Sequence, residues 1–331
     1  MSIIDNLLKE CQKLINRYIL TSNRLFEIIG IPDGLMNILI GVELSSEISE
    51  DDLYDVRLSY DYDYFVFAKS TKTLMAIREL LNCKEHCFTE DCFSLIRSIF
   101  ENHILSRHLR ENIDIVSDEE KKQLIKNFIS APLGLTFDYY NKGGRLKIYS
   151  KDNELVGEEI TPKSVASPFD REYYSLFYPF LCQYTHCSFG VATDYYGKSG
   201  YTAQKDNGNK LLAYALALFA FSKVYEGIIT VDGEDFVDKS HMKQCYDLAY
   251  DSLEFQMRLF DALIEYYNNI PITQNQKVMQ YYVGKEEINF SNQKIAKMLS
   301  ALKDALIDPE LSSLDVNEFV NGKFVRRYAD Y

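Results

Sequence analysis

The sequence TEDCFSLIRSIFENHILSRHLREN, residues 89–112, predicts one long helix, and this helix decides the fold. Its apolar residues are spread around the whole circumference, a pattern typical of a helix that is buried on all sides. At 100° per residue, Arg97, Glu101 and His108 lie within about 40° of one another on the helix. Because unpaired charges are costly inside a core, we expect other parts of the chain to pair them.

Apolar residues recur at helical spacing along most of the remaining chain. This spacing predicts further helices at residues 2–29, 35–46, 62–83, 117–130, 170–190, 208–229, 237–268 and 291–306. A small β-hairpin is expected near residues 145–160, where two short β-type segments flank the turn Lys151-Asp-Asn. Residues 195–209 are rich in helix breakers and predict a loop.

The predicted fold class is all-α, a bundle of long antiparallel helices with a small inserted β-hairpin. We expect one domain over residues 1–331. Within it, residues 1–56 supply N-terminal helices, residues 57–230 the core bundle with the hairpin, and residues 231–331 C-terminal helices. Long helices with wide apolar stripes also favour a homodimer.

Composition limits the classes of function. The 331 residues carry a net charge of −13, which argues against a broad nucleic-acid surface but leaves room for a local basic cleft. Seven cysteines without an apolar leader segment predict a cytoplasmic protein with reduced thiols. The longest apolar run, residues 211–221, is too short for a membrane span, so we expect no membrane partner.

The first candidate site combines Arg97 and Glu101 with His186 of a later helix. Arg97 and Glu101 are four residues apart, which permits a direct ion pair. A histidine held by a carboxylate is suited to proton transfer near neutral pH, and an adjacent arginine stabilises a developing anion. The alternative is a buried ion pair that fixes the helix register beside a hydrogen-bonded core histidine.

Three segments carry a family resemblance: FAKSTKTLMAIRELL (67–81), EDCFSLIRSIFE (90–101) and YTHCS (184–188). Over residues 60–190 the chain resembles an uncharacterised bacterial all-helical family with an R-S-x-x-E helix and a later H-x-S helix. Members of that family often occur beside phage-defence genes and mobile elements. The resemblance implies a helical fold and points to Arg97, Glu101, His186 and Ser188. Cys187 stands where the family more often has a proline.

The key helix also contains an arginine followed by a histidine, Arg97 and His103. This pair resembles the R-x4–6-H motif of the HEPN ribonucleases, which cleave RNA at a dimer interface with a 2′-hydroxyl as internal nucleophile and no metal. Arg97 and His103 are about 120° apart on a helix, so a neighbouring helix or a second subunit must complete such a site. We take as candidate substrate contacts Arg107, His108, Arg110 and Ser188.

Two other kinds of site remain possible interpretations of the sequence. Cys83 with His86, and Cys182 with His186, supply four side chains of the kind that bind zinc, with Cys87 and Cys187 beside them, although the spacing fits no standard zinc motif. We expect no metal and no cofactor. A run of tyrosines between residues 173 and 201 suits a ligand pocket or base stacking, although core packing is the more common use.

These observations lead to two functional predictions. The first is a defence- or toxin-type helical effector that cleaves RNA without a metal, with Arg97, Glu101, His103 and His186 as catalytic residues. The second is a non-catalytic helical module that senses a small ligand or a protein partner. The expected partners are RNA, a protein of a defence system and a second copy of the chain.

Overall fold

The computed structural model of this chain describes residues 3–29, 58–113, 138–141, 146–149, 155–158, 161–186, 188–197, 200–203, 208–230, 239–270, 285–307, 319–320 and 323–324. These residues form eight α-helices: α1 (Ile3–Ile29), α2 (Leu58–Asn82), α3 (Thr89–Ile113), α4 (Pro162–Val165), α5 (Pro168–Thr185), α6 (Lys210–Thr230), α7 (Lys239–Asn269) and α8 (Lys285–Asp304). The prediction of an all-α fold is confirmed.

The long helices lie where the apolar spacing predicts them. The predicted helix over residues 170–190 is shorter than expected, because His186 caps α5 and its backbone N–H donates to the Cys182 carbonyl. A 3₁₀ helix, Phe189–Tyr195, follows it. The helix predicted over 291–306 begins earlier, at Lys285. The helices predicted at residues 35–46 and 117–130 lie outside the described residues.

Short antiparallel strands complete the described elements. β1 (Asp138–Asn141) pairs with β2 (Leu146–Tyr149), which pairs with β3 (Leu155–Glu158). The predicted hairpin near residues 145–160 stays a prediction, because its turn and its side chains lie outside the described residues. β4 (Tyr196–Gly197) and β5 (Gly200–Tyr201) form a small ladder within the segment expected to be a loop. β6 (Phe319–Val320) pairs with β7 (Lys323–Phe324).

Helix α6 is the centre of the bundle and packs against α1, α2, α3 and α7. Its residues 210–229 have a mean hydropathy of 1.5, and this segment is 100% buried inside the protein. By length and composition alone this segment passes the test for a membrane span, as the core helix of a globular protein also does. Among the described residues, one contiguous apolar core draws on α1, α2, α3 and α5 to α8.

Helix α3 is buried on several sides, as its apolar pattern predicts. It packs against α2, α5 and α6 and touches the short α4. Phe93, Ile96 and Phe100 are fully buried. Polar side chains of α3 are therefore directed at neighbouring helices, which is what brings the candidate residues into contact with the rest of the chain.

The first turn of α5 is fixed by its own sequence. Ser167 is the N-cap, and Pro168 follows at the first helical position, where a missing backbone N–H costs nothing. The Ser167 hydroxyl accepts from the Asp170 backbone N–H at 3.0 Å and donates to the Asp170 carboxylate at 2.9 Å. This cap holds Asp170 in one orientation at the inner end of the α3–α5 contact.

Candidate functional site

Arg97 organises a polar cluster where the C-terminal end of α5 meets α3. Its Nε donates to Glu101 Oε1 at 3.0 Å, and its Nη2 donates to the Tyr178 hydroxyl at 2.7 Å. Its Nη1 lies 3.2 Å from His186 Nε2. The guanidinium also lies over the Tyr178 ring, 4.9 Å from the ring centroid, in a cation–π contact.

The α5 side of this cluster is a stripe at four-residue spacing. Tyr178, Cys182 and His186 fall on one face of the helix because positions i, i+4 and i+8 stack above one another. The Cys182 thiol is close enough to contribute to the electrostatic surroundings of Arg97 and Tyr178. We call these residues the outer cluster: Arg97, Glu101, Tyr178, Cys182 and His186.

The outer cluster is partly open to solvent. The Arg97 side chain is 17% exposed and the Glu101 side chain 27%, and His186 is exposed. The expectation that these charged side chains lie inside the core is therefore wrong, because both are partly exposed. The Arg97–Glu101 ion pair itself forms as expected, at 2.9 Å. Parts of both side chains are therefore in contact with solvent.

Burial and charge shift two groups of the outer cluster. Burial, followed by the nearby Glu101 carboxylate, raises the pKa of Tyr178 to about 12, so its hydroxyl stays protonated at neutral pH. Partial burial lowers the pKa of Arg97, but Glu101 outweighs it and the net pKa of the arginine is raised. Arg97 is therefore a permanent cation, and Tyr178 accepts from it as a neutral phenol.

Arg97 lies between Glu101 and His186. Among the hydrogen bonds of the described residues, none joins Glu101 directly to His186, which differs from the expectation that Glu101 orients the histidine. A guanidinium only donates, so His186 Nε2 is the acceptor in this contact, and in the neutral ring the proton is then on Nδ1. The arginine, rather than the carboxylate, selects the tautomer of His186.

A second polar cluster lies deeper along the same pair of helices. Asp170 Oδ1 accepts from the Tyr173 hydroxyl at 2.6 Å and from Arg107 Nη1 at 3.4 Å. His103 Nε2 lies 3.7 Å from the same oxygen. We call His103, Arg107, Asp170 and Tyr173 the inner cluster. Each is at most 2% exposed, so this cluster is sealed in the core.

The inner cluster shifts two pKa values. Burial is the main cause that lowers the pKa of His103, and the Asp170 carboxylate opposes it only in part. Burial by itself raises the pKa of Asp170, but His103, Arg107 and the Tyr173 hydroxyl outweigh it and hold that pKa well below its usual range. The histidine is therefore neutral and the carboxylate charged at neutral pH.

The structure does not bring Arg97 and His103 into one site. Arg97 contacts the outer cluster, and His103 belongs to the sealed inner cluster. The two residues of the R-x5-H spacing contact opposite ends of α5: Arg97 contacts His186 and His103 contacts Asp170. A HEPN-type pairing of these two side chains within one chain has no geometric support in the described residues.

Arg107 and Arg110, two of the candidate substrate contacts, do not form a basic surface on α3 in the described part of the chain. Arg107 is buried and pairs with Asp170 and Glu111. Arg110 donates to Asp63 and to the Gly227 carbonyl, each at 3.2 Å. The arginines are directed inward because buried carboxylates on α2 and α5 accept their hydrogen bonds.

The other two candidate substrate contacts are also placed by local interactions. His108 is half-buried, and burial lowers its pKa. Ser188 is partly exposed beyond the end of α5, where its hydroxyl accepts from the Gly190 backbone N–H at 3.3 Å. Of the four candidate substrate contacts, only Ser188 is close in sequence to the α5 end of the outer cluster, two residues after His186.

The zinc alternative finds no geometric support. Among the described residues, no group of three or more His, Cys, Asp or Glu side chains could hold a metal ion. Cys83, His86 and Cys87 instead line a cavity of about 370 Å³ at the turn between α2 and α3. Cys187 lies outside the described residues.

Tyr178, Cys182 and Asp170 were not predicted from the sequence to lie in a site with Arg97 or Arg107. Tyr178 and Cys182 carry a usable signal, because with His186 they repeat every four residues. Asp170 is marked only by its cap, Ser167-Pro-Phe-Asp, which predicts a helix start but not a buried anion. Of the tyrosine run, Tyr173 and Tyr174 are buried in the core, whereas Tyr195 and Tyr201 are exposed. Tyr178 is partly exposed at the site.

Comparison with known proteins adds no relative to this picture: no family model, no curated protein and no solved structure matches the chain.

Proposed function

We propose that this protein is a helical effector of the defence or toxin type that cleaves RNA without a metal at the outer cluster. One observation carries the proposal: a permanent cation, a carboxylate and an accessible histidine meet at a partly open surface. These are the groups that phosphodiester cleavage by an internal 2′-hydroxyl requires. Arg97, Glu101 and His186 all belong to the set suggested by the family resemblance.

The free atoms of the cluster suit such a reaction. Glu101 Oε2 has no hydrogen-bond partner among the described residues and accepts the proton of the attacking 2′-hydroxyl. As the bond from the 2′-oxygen to phosphorus forms, the bond to the 5′-oxygen breaks. For this step His186 first takes up a proton on Nε2 in place of its contact with Arg97. The imidazolium then donates its Nδ1 proton to that leaving oxygen and becomes neutral, and Arg97 stabilises the charge on the phosphoryl oxygens. The products are a 2′,3′-cyclic phosphate and a 5′-hydroxyl.

The test is cleavage of a labelled single-stranded RNA by His186→Asn and Arg97→Lys variants. Each is expected to lose about 100-fold or more in rate, because each removes one transition-state contact. His86→Asn is the matched control, since His86 is an exposed histidine at the α2–α3 turn. A chelator is expected to leave the rate unchanged, and RNA with a 2′-deoxy linkage is expected to resist cleavage.

The proposal fails if purified wild-type protein releases no cyclic phosphate from any RNA supplied. It fails equally if His186→Asn cleaves as fast as His86→Asn does. Heat-denatured wild-type protein is the blank for contaminating nucleases. Melting curves of all variants identify a loss of activity that comes from unfolding.

We extend the proposal to a cytoplasmic homodimer that acts with a protein of a defence system. Support comes from exposed apolar side chains such as Leu20 (54% exposed) and Phe65 (51% exposed). Sedimentation equilibrium tests the dimer. A monomer at every concentration measured would contradict it.

A second candidate function, a non-catalytic ligand-sensing module, is favoured by one specific observation. Four of the five N–H groups of Arg97 are already used within the chain: Nε toward Glu101, Nη1 toward His186, and Nη2 toward Tyr178 and Glu101. This geometry suits an arginine that joins α3 to α5. Arg97→Ala is then expected to destabilise the fold by about 1–2 kcal/mol while wild type shows no RNA cleavage.

A further inference from the structure

Tyr174 places an unpartnered hydroxyl at the outer cluster. The residue is 6% exposed, and its hydroxyl has no hydrogen-bond partner within the described part of the chain. Its ring stacks on that of Tyr178, with centroids 4.8 Å apart and planes inclined by 14°. Buried hydroxyls are nearly always hydrogen-bonded, so this one needs a reason.

The surroundings of Tyr174 separate it from the other unpartnered buried atoms. Its electrostatic neighbours are Tyr178, Glu101, Cys182 and Arg97, all members of the outer cluster. By contrast, the unpartnered Nε2 of His103 belongs to the sealed inner cluster. Tyr174 thus stacks on a member of the outer cluster and lies within electrostatic range of the others.

The outer cluster has hydrogen-bond donors that are not used within the described part of the chain. Arg97 retains one Nη1 N–H, and His186 presents Nδ1–H. Tyr174 adds an O–H donor. Burial is the main cause that raises the pKa of Tyr174 above its usual value, so it remains a donor at neutral pH.

We propose that the outer cluster binds a phosphate group and that the Tyr174 hydroxyl donates to one of its oxygens, together with the free N–H of Arg97 and His186 Nδ1–H. A phosphate oxygen accepts several donors at once and carries the charge that Arg97 attracts. Because Tyr174 is buried, contact with the phosphate requires the partly exposed Tyr178 ring to move aside. This inference rests on the proposed function and adds Tyr174 as a substrate contact.

The experiment compares Tyr174→Phe with Tyr173→Phe, two neighbouring substitutions that each delete one buried hydroxyl. Binding of inorganic phosphate is followed by ³¹P NMR titration, and stability by thermal melting. Wild type is expected to bind phosphate in the millimolar range. Tyr174→Phe is expected to weaken this binding about fivefold with an unchanged or raised Tm, since it removes an unpaired hydroxyl.

Tyr173→Phe is expected to do the opposite. It removes the 2.6 Å hydrogen bond to Asp170, so the Tm falls while phosphate affinity stays at the wild-type value. The inference is overturned if Tyr174→Phe binds phosphate as tightly as wild type, or if wild type binds none. Phosphate binding that depends on Tyr174, without RNA cleavage by wild type, refutes the proposed function alone. If wild type cleaves RNA but Tyr174→Phe binds phosphate as tightly as wild type, only this inference is refuted.

Discussion

Arg97 and His186 are 89 positions apart in the sequence, yet Nη1 of the arginine lies 3.2 Å from Nε2 of the histidine. This contact closes the outer end of the interface between α3 and α5. The Arg107–Asp170 pair closes its inner end. The two arginines are ten residues apart on α3, about 15 Å along a helix, so α5 is held to α3 at two points that differ in solvent access.

That difference predicts unequal costs for removing the two carboxylates. Asp170 is fully buried and is contacted by Arg107, Tyr173 and Ser167. Asp170→Asn leaves Arg107 without its buried counter-charge, and we expect a loss of about 3–5 kcal/mol in the free energy of unfolding. Glu101→Gln, at the 27% exposed site, is expected to cost less than about 1 kcal/mol.

Urea denaturation of the two variants measures both values. Asp170→Ala is a second test of the inner cluster, because it also removes the carboxylate to which the Ser167 and Tyr173 hydroxyls donate. Equal losses for Asp170→Asn and Glu101→Gln would show that burial does not separate the two clusters.

The helices were predictable from the sequence, but the depth of the charged residues was not. Helical periodicity is local, so the bounds of α1, α3 and α6 follow from short windows of sequence. Arg107 looks like a surface cation because its partner Asp170 lies 63 positions away, on a helix whose start is set by its own cap. No local pattern shows that a carboxylate will be buried there to receive it.

The outer cluster was partly predictable for the same reason. Arg97 and Glu101 are neighbours by helix geometry, and His186 was the expected third partner. Tyr178, which accepts from Arg97 Nη2, was not predicted as a partner of the arginine. Its spacing from His186 was visible, but a tyrosine within an aromatic-rich helix gives no sign of whether it faces the core or a polar site.

Because His103 is buried and neutral, we expect the free energy of unfolding to decrease on mild acidification. Its folded pKa lies below 6.5, so from about pH 6.5 downward the unfolded chain takes up a proton that the native chain does not. Stability is therefore complete above about pH 6.5 and decreases as the pH falls toward the lowered pKa. The charged groups that act on His103 are Asp170 of α5, Arg107 of α3 and Lys223 of α6.

Thermal melting between about pH 7.5 and pH 5 measures this dependence. His103→Gln, which cannot be protonated, is expected to flatten the slope of Tm against pH. His108→Gln is the matched control and is expected to change the slope less, because His108 is only half-buried. The lowered pKa of Asp170 adds a separate loss of stability only below about pH 4. Above 3.8, the usual pKa of an aspartate, the carboxylate is ionised in both the folded and the unfolded chain, and its contribution to stability is complete. A slope unaffected by His103→Gln would contradict the prediction.

Gly227 offers a prediction in which two ordinary effects oppose each other. Alanine normally stabilises a helix interior by about 0.5–1 kcal/mol relative to glycine. In α6, however, a Cβ at position 227 would lie 3.1 Å from Nη1 and 3.3 Å from Nη2 of Arg110. That guanidinium donates to the buried Asp63, so moving it weakens a pair on which a buried carboxylate depends.

We therefore expect Gly227→Ala to destabilise the wild-type chain by about 1 kcal/mol or more, and to stabilise an Arg110→Ala background by about 0.5–1 kcal/mol. The sign reverses because removal of the guanidinium leaves only the helix preference. Urea denaturation of the wild type, the two single variants and the double variant gives the coupling energy. If Gly227→Ala has the same sign and size in both backgrounds, Arg110 does not limit the space beside this glycine, and the close approach of α3 to α6 has another cause.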